Sequence, residues 1–192
     1  MKNIIGINGS PRKGGNTEIL LTEALRGARE AGASTDSIVL NDLSFIPCQE
    51  EEYAQVDRDG LSVIKDDMHL VFDKIKGAHA IILASPIFFG SLSAQTKMMI
   101  DRFQCVWVSK FLMDKEIFGR RKKGALILVQ ASHKQEFFEN AKFITRQFFH
   151  TINVAYEKEL FCPGFDEKGK ILSSPPSLGK AFQLGKHMGK IS

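Results

Sequence analysis

The stretch "NGSPRKGGNT", residues 8–17, sets small residues and two cations between an apolar run and a helical pattern. Glycine and serine leave backbone N–H groups open, and a helix start is electropositive, so a turn of this composition suits phosphate. Its spacing argues against two common phosphate sites. Gly9 to Gly14 satisfies G-x-x-x-x-G, but Gly15 and Asn16 stand where an ATP-binding loop needs Lys and Ser/Thr. The dinucleotide fingerprint G-x-G-x-x-G fails because Asn8 lies two residues after Gly6. What remains is Ser10, Arg12, Lys13, Asn16 and Thr17 converging on a terminal monophosphate, with no carboxylate in the loop to hold magnesium.

A second stretch, "SPIFFGS" at 85–91, ends an apolar run with two aromatics and a glycine. Such a loop suits a flat apolar ring with polar edges, since aromatics pack the ring and backbone groups read its rim. Phe88 and Phe89 are awkward as two core residues, because neighbours in extended chain point to opposite sides.

The elements that must position these loops can be read from hydrophobic periodicity. Apolar runs at 2–8, 37–40, 79–85, 124–130 and 153–161 predict five strands. Helical stripes at 17–32, 66–78, 93–112 and 136–152, and a terminal helix at 177–190, fall between and after them. Strands alternating with helices call for an α/β fold with a doubly wound parallel sheet. In such a sheet the ligand lies outside the carboxyl ends of the strands, where the loops at 9–17, 85–92 and 131–135 all fall. The segment 41–65 reads as a long irregular insertion.

A chain of 192 residues suits one domain, with a formal charge of +4 that fits small anions. The basic run "GRRKKG" at 119–124 has no aromatic to stack on a base and reads as a solvated turn entering a strand, so no nucleic-acid partner is expected. Cys48, Cys105 and Cys162 are odd in number and in no C-x-x-C spacing, which argues against a disulfide framework and a zinc site. The opening "MKNIIGINGS" is too poor in apolar residues for a signal peptide or a membrane span, so a cytoplasmic protein is expected.

Three stretches together, "GSPRKGGNT", "SPIFFGSLSAQTKMMIDR" and "IKDDM", resemble the flavodoxin-like NADPH-dependent FMN reductase family, and within it the iron–sulfur flavoprotein branch. The resemblance covers about the first 130 residues in order and spacing. It implies one flavodoxin-like FMN-binding domain over 1–192, with a five-stranded parallel sheet in the order 2-1-3-4-5 and helices on both faces. It places Ser10, Arg12, Asn16 and Thr17 on the FMN phosphate, with Lys13 nearby. Pro86, Ile87, Phe88, Phe89, Gly90 and Ser91 would pack on the isoalloxazine and hydrogen-bond to it. The family's third loop falls at Gln130 to His133 without its glycines, so Ser132 or His133 would offer a side-chain donor instead.

The implied activity is hydride transfer from NAD(P)H to FMN and onward passage to a small-molecule or redox-protein acceptor. No catalytic side chain is expected, because the chemistry belongs to the cofactor. A non-enzymatic electron carrier is the alternative. The branch also carries a run of four cysteines that ligates a [4Fe–4S] centre. Here Cys48 keeps the first place, but Glu51, Ala54 and Leu61 or Ser62 stand at the others, so no metal site and no cluster are expected. Glu50, Glu51 and Glu52 read as a solvated face. Family members assemble as dimers or tetramers. The apolar residues Phe103, Val106, Trp107, Val108, Phe111 and Leu112 exceed what one buried helix face requires, which fits a homodimer or homotetramer.

Overall fold

The computed structural model describes residues 2–49, 56–57 and 59–190. In chain order it contains β1 (Asn3–Asn8), α1 (Asn16–Glu30), β2 (Ser34–Val39), α2 (Met68–Gly77), β3 (Ala80–Phe88), β4 (Ser91–Leu92) and α3 (Ala94–Asp101). Then follow α4 (Gln104–Phe111), β5 (Lys122–Gln130), α5 (Gln135–Thr151), β6 (Val154–Pro163) and α6 (Pro175–Gly189). The parallel strands lie in the order β2-β1-β3-β5-β6, and β4 adds a short antiparallel pair to the end of β3. Counted over its parallel strands this is the expected 2-1-3-4-5 arrangement, with β4 as a sixth, minor strand. No helix among the described residues is long and apolar enough to cross a membrane.

The interior strands are apolar on both faces because both faces are covered. On one side Ile4, Ile82 and Ile127 meet Leu20, Ala24, Leu25 and Ala28 of α1 and Leu184 and Met188 of α6. On the other, Ile5, Leu83 and Leu128 meet Val71 and Ile75 of α2, Phe103, and Phe148 of α5. The α1–α6 seam is built of small residues: a Cβ on Gly185 would lie 1.7 Å from the Ala24 carbonyl oxygen.

The helix expected over 93–112 is two helices, broken at Arg102 and Phe103. The Phe103 N–H bonds back to the Ile100 carbonyl at 3.0 Å in a tight turn, and α4 restarts with Val106 bonding to Phe103. The break turns Phe103 into the core, edge-on to Phe72 and Phe148 at 4.8 and 4.9 Å. Sequence periodicity does not reveal it, because helix-forming residues continue on either side. Likewise β2 starts at Ser34, before the apolar run at 37–40, because an edge strand pairs by backbone and tolerates polar side chains.

The same break drives Arg102 inward to 2% exposure, where it pairs with both oxygens of Asp66. Arg102 also donates to the Ile46 carbonyl at 2.9 Å and the Ser62 hydroxyl at 3.3 Å. Asp66 in turn accepts the N–H groups of Ile46 and Met68, and Asp67 accepts that of Ser44. The two aspartates of "IKDDM" thus pin the described part of the 41–65 segment to the start of α2. Glu50, Glu51, Glu52 and Ala54 lie outside the described residues.

Burial opposes ionisation of Asp66, but the Arg102 hydrogen bond and the two backbone donors outweigh it and hold its pKa below the ordinary carboxylate value. A depressed folded-state pKa contributes stability that is full above about pH 4 and is lost as pH falls through the folded value. Asp66→Asn is expected to cost about 3 kcal/mol at pH 7, because it leaves Arg102 buried without its counter-charge. Urea unfolding at pH 7 and pH 3 checks this: the gap between variant and wild type should narrow at the lower pH.

Candidate functional site

Gly9 leaves β1 with its N–H on the Ala84 carbonyl at 2.8 Å, so the first loop starts fastened to β3. Its carbonyl accepts the Ser93 hydroxyl at 2.6 Å, and a Cβ on residue 9 would fall 1.8 Å from the Thr96 hydroxyl oxygen. Only glycine fits there. The loop then turns through side chain to backbone bonds. Asn8 Oδ1 accepts the Ser10 N–H and Ser10 Oγ accepts the Arg12 N–H, at 3.0 and 3.2 Å. The loop ends at Gly15, the N-cap of α1, which supplies no side-chain cap. The first N–H groups of α1 therefore point outward at the positive end of its dipole without a side-chain acceptor at the cap.

The second loop is a two-residue hairpin. Phe88 pairs with Ser91, and Phe89 and Gly90 both take left-handed conformations, with φ of 49° and 77°. This is the geometry of a type I′ turn, which favours Asn-Gly. A fully exposed phenylalanine in it is strained. Asn140 of α5 donates to the Gly90 carbonyl at 2.8 Å and holds the tip.

Between the loops lies a cleft of about 190 Å³ lined by Ser10, Arg12, Asn16, Thr17, Pro86, Ile87, Phe88 and Phe89. Eight of the expected residues therefore converge. Five do not line it. Lys13 turns away to Asp42, with Nζ 3.2 Å from the carboxylate. Gly90 and Ser91 form the far side of the hairpin. Ser132 accepts the Lys134 N–H, and His133 lies against Gly164. Asn16 lines the cleft, but its side chain is already engaged: it donates to the Glu167 carbonyl at 2.8 Å and accepts the Ile171 N–H at 3.1 Å.

That clamp brings in a fourth loop, 164–169, which supplies Phe165, Asp166 and Lys168 to the cleft wall. Lys168 packs beside Gly14, and Arg12 donates to the Asp166 carbonyl at 3.0 Å. The signal for this loop was available, because it follows a parallel strand and must emerge at the same carboxyl edge. Gln130 was also missed as a wall residue in its own right. It is 3% exposed, its amide nitrogen donates to the Lys134 carbonyl, and its Oε1 has no hydrogen-bond partner among the described residues. A larger groove of about 760 Å³ runs between β6 and α6, away from these loops and from the strand ends.

The described cysteines are free thiols. Burial pushes Cys105 up to about 11, and its Sγ donates to the Arg102 carbonyl at 3.3 Å. Burial also raises Cys162. Among the described residues no group of three His, Cys, Asp or Glu is placed to hold a metal ion.

The family model described as NADPH-dependent FMN reductase matches residues 2–155. The chain belongs to this family. An iron–sulfur flavoprotein of Methanocaldococcus jannaschii is 39% identical over 129 residues, which are 67% of this chain and 62% of that protein. An iron–sulfur flavoprotein of Methanosarcina thermophila is 36% identical over 129 residues, 67% of this chain and 63% of that protein. The chain thus spans about three fifths of the length of these relatives. Among solved structures, a flavone reductase superposes with a TM-score of 0.73 at 20% identity, covering 97% of this chain and 62% of the other, a likeness of fold alone.

For an NADPH-dependent FMN reductase family member, the turn at Phe89 is open to a direct test. Phe89→Asn gives the hairpin its favoured dipeptide and removes a strained, exposed ring. It is expected to raise stability by about 1 kcal/mol, read as a higher urea midpoint with an unchanged m-value.

Proposed function

We propose that this chain binds FMN at the carboxyl-edge cleft, takes electrons from NAD(P)H and passes them to a second acceptor without an iron–sulfur cluster of its own. The observation that carries this reading is the meeting of an uncapped, outward-facing α1 start with Arg12 on one side and the Phe88–Phe89 turn on the other. Family membership supports the cofactor and the donor. The residues present fit FMN. Ser10, Thr17, Arg12 and the first N–H groups of α1 suit a phosphate dianion. Pro86, Ile87, Phe88 and Phe89 suit a flat ring, and the unpaired Oε1 of Gln130 would accept a donor from the ligand.

When bound, FMN supplies acceptance of a hydride and release of electrons to a second substrate. The protein's part is to hold and to exclude. Arg12 and Lys168 place positive charge at the phosphate end. The backbone of the Phe88–Phe89 turn would lie toward the ring end of the cleft, where its N–H groups would favour added negative charge. Asn16 acts as a clamp on the 164–169 loop.

The chain holds three cysteines, and a cubane held by one chain takes four thiolates. Purified protein is expected to show an FMN spectrum that bleaches anaerobically with NADPH or NADH, with no stoichiometric iron or acid-labile sulfide. Flavin stable to nicotinamide but reduced by a redox protein would make it an electron carrier. Failure to bind flavin would sink the proposal. Arg12→Ala is expected to weaken FMN by about 1.5–3 kcal/mol while leaving riboflavin, which lacks the phosphate, nearly unchanged.

The proposal includes a homo-oligomer. Phe103 and Val106 are consumed by the chain's own core, and the described part of 41–65 packs against Arg102 and Ser109. Trp107, Phe111, Leu112 and Met113 remain exposed, with Phe143 of α5 across a shallow groove from Trp107. Exposed aromatics in such a continuous patch mark an interface. Light scattering at micromolar concentration is expected to give a dimer or tetramer, and Trp107→Glu with Phe143→Glu a folded monomer. A monomeric wild type would overturn it.

A further inference from the structure

The basic run at 119–124 plays no part in the cleft. It does enter a strand, as expected, but it is not simply solvated. Lys122 is 1% exposed, and its ammonium donates to the Phe118 carbonyl at 2.6 Å and the Arg120 carbonyl at 3.4 Å. Its neighbours meet residues distant in sequence. Ile4 pairs with Ala80 and Ala80 with Lys123, so the parallel sheet gathers the amino ends of β1, β3 and β5 at the edge opposite the cleft. There Lys2, His79, Arg120, Arg121 and Lys123 surround a cavity of about 210 Å³ that no carboxylate of the described residues lines.

The charges around this cavity are poorly compensated. Arg120 donates to the Gly77 and Ala78 carbonyls, and Lys2 to the Lys190 carbonyl, all neutral acceptors at the ends of α2 and α6. Among the described residues, the one ion pair made by a lining cation joins Lys123 to Glu157 at 3.9 Å. His79 Nδ1 accepts the Asn3 N–H at 3.1 Å, which leaves Nε2–H as the donor of the neutral ring. Burial, then Arg120, Lys2 and Lys122, push the His79 pKa below its ordinary value. Burial, then Arg120, do the same to Lys122.

We propose that this amino-edge cavity is an anion site for a diphosphate group. Four formal cations around one concavity match the charge of a diphosphate better than that of a single carboxylate or phosphate. The Arg121 guanidinium offers paired N–H donors to adjacent oxygens, and Arg120 offers those it does not give to the Gly77 and Ala78 carbonyls. A single-stranded nucleic acid fits poorly, because the described lining holds no Phe, Tyr or Trp to stack on successive bases. The diphosphate can be free or the end of a larger molecule.

Isothermal titration tests this with FMN-saturated protein at fixed ionic strength, using inorganic pyrophosphate and, separately, ADP. Saturable binding of one pyrophosphate per chain is expected. Arg121→Ser and Lys2→Ser should each weaken it by roughly tenfold, without lowering the melting temperature of these surface-placed variants. Arg12→Ala should leave it unchanged, so the site is distinguished from the flavin cleft even if that cleft does not take FMN. ADP binding tighter than pyrophosphate assigns the group to a nucleotide, and equal or weaker binding assigns it to the free anion; both support the site. It is overturned by absence of saturable binding in the millimolar range. It is equally overturned by loss on Arg12→Ala with Arg121→Ser unaffected, or by an RNA oligonucleotide that binds the edge and resists pyrophosphate.

Discussion

Ser93 donates its hydroxyl to the Gly9 carbonyl at 2.6 Å, and the width of the cleft depends on that bond. The same oxygen caps α3 by accepting the Thr96 N–H, and it meets the Thr96 hydroxyl at 2.9 Å. Ser85 closes the set: its Oγ accepts the Ser93 N–H at 3.1 Å and donates to the Pro86 carbonyl at 2.8 Å. Ser85, Ser93 and Thr96 are completely buried. A buried hydroxyl left without a partner costs about 1–3 kcal/mol, so the network forms as a unit or is costly in parts. Because it joins the loop after β1 to the turn after β3, the phosphate-type loop and the aromatic turn hold one separation. The glycine at residue 9 is what lets the two loops come that close.

A second buried group organises what lies outside this unit. Arg102 sits where α3 ends, and its guanidinium reaches Ile46, Ser62 and Asp66, residues of an irregular segment that has little core of its own. One side of the α3–α4 corner is thereby covered by the chain itself, with Ser109 adding a bond to the Gly60 carbonyl at 2.8 Å. The other side keeps Trp107 and Phe111 in view of solvent. The break between α3 and α4 therefore does two things. It sends Phe103 into the core as an aromatic hub, and it leaves an apolar face pointing outward.

The first two loops were legible because their constraints are local. Gly9, Ser10 and Arg12 build their turn from neighbours, and Phe88 to Ser91 close a hairpin within four residues. Most strand and helix positions followed from period, apart from the break between α3 and α4, the early start of β2 and the short β4, and the sheet order followed from the resemblance. What stayed hidden depends on distant partners. Asn16 reads as a phosphate ligand from its place in the loop, yet its partners are Glu167 and Ile171, about 150 residues away. Arg102 reads as one more charged residue on a helix until Asp66 is placed beside it. Lys13 reads as part of the anion site until Asp42 is seen to draw it off. In each case the partner is supplied by tertiary structure, which residue type and spacing do not show.

The two edges of the sheet show how one parallel topology creates opposite electrostatic problems. At the carboxyl edge the helices begin, and the start of α1 brings its own positive partial charge, so Arg12 and Lys168 add to a field the backbone already provides. At the amino edge the helices end, and unpaired carbonyls of α2 and α6 face the loops. Part of the basic run answers them, as Arg120 does for Gly77 and Ala78. If that were its whole purpose, one cation per helix end would suffice and each would lie on a carbonyl. Arg121 and Lys123 go beyond this. They line a cavity instead of capping a helix, next to a buried Lys122 whose hydrogen bonds go to carbonyls, with the Glu116 carboxylate acting on it only at longer range. Positive charge concentrated beyond what the helix ends require, in a concave place where Glu157, beside Lys123, is the one acid paired with a lining cation among the described residues, is a destabilising arrangement for the protein alone. An anion seated there removes the repulsion, so the same residues that strain the free edge favour its occupied form.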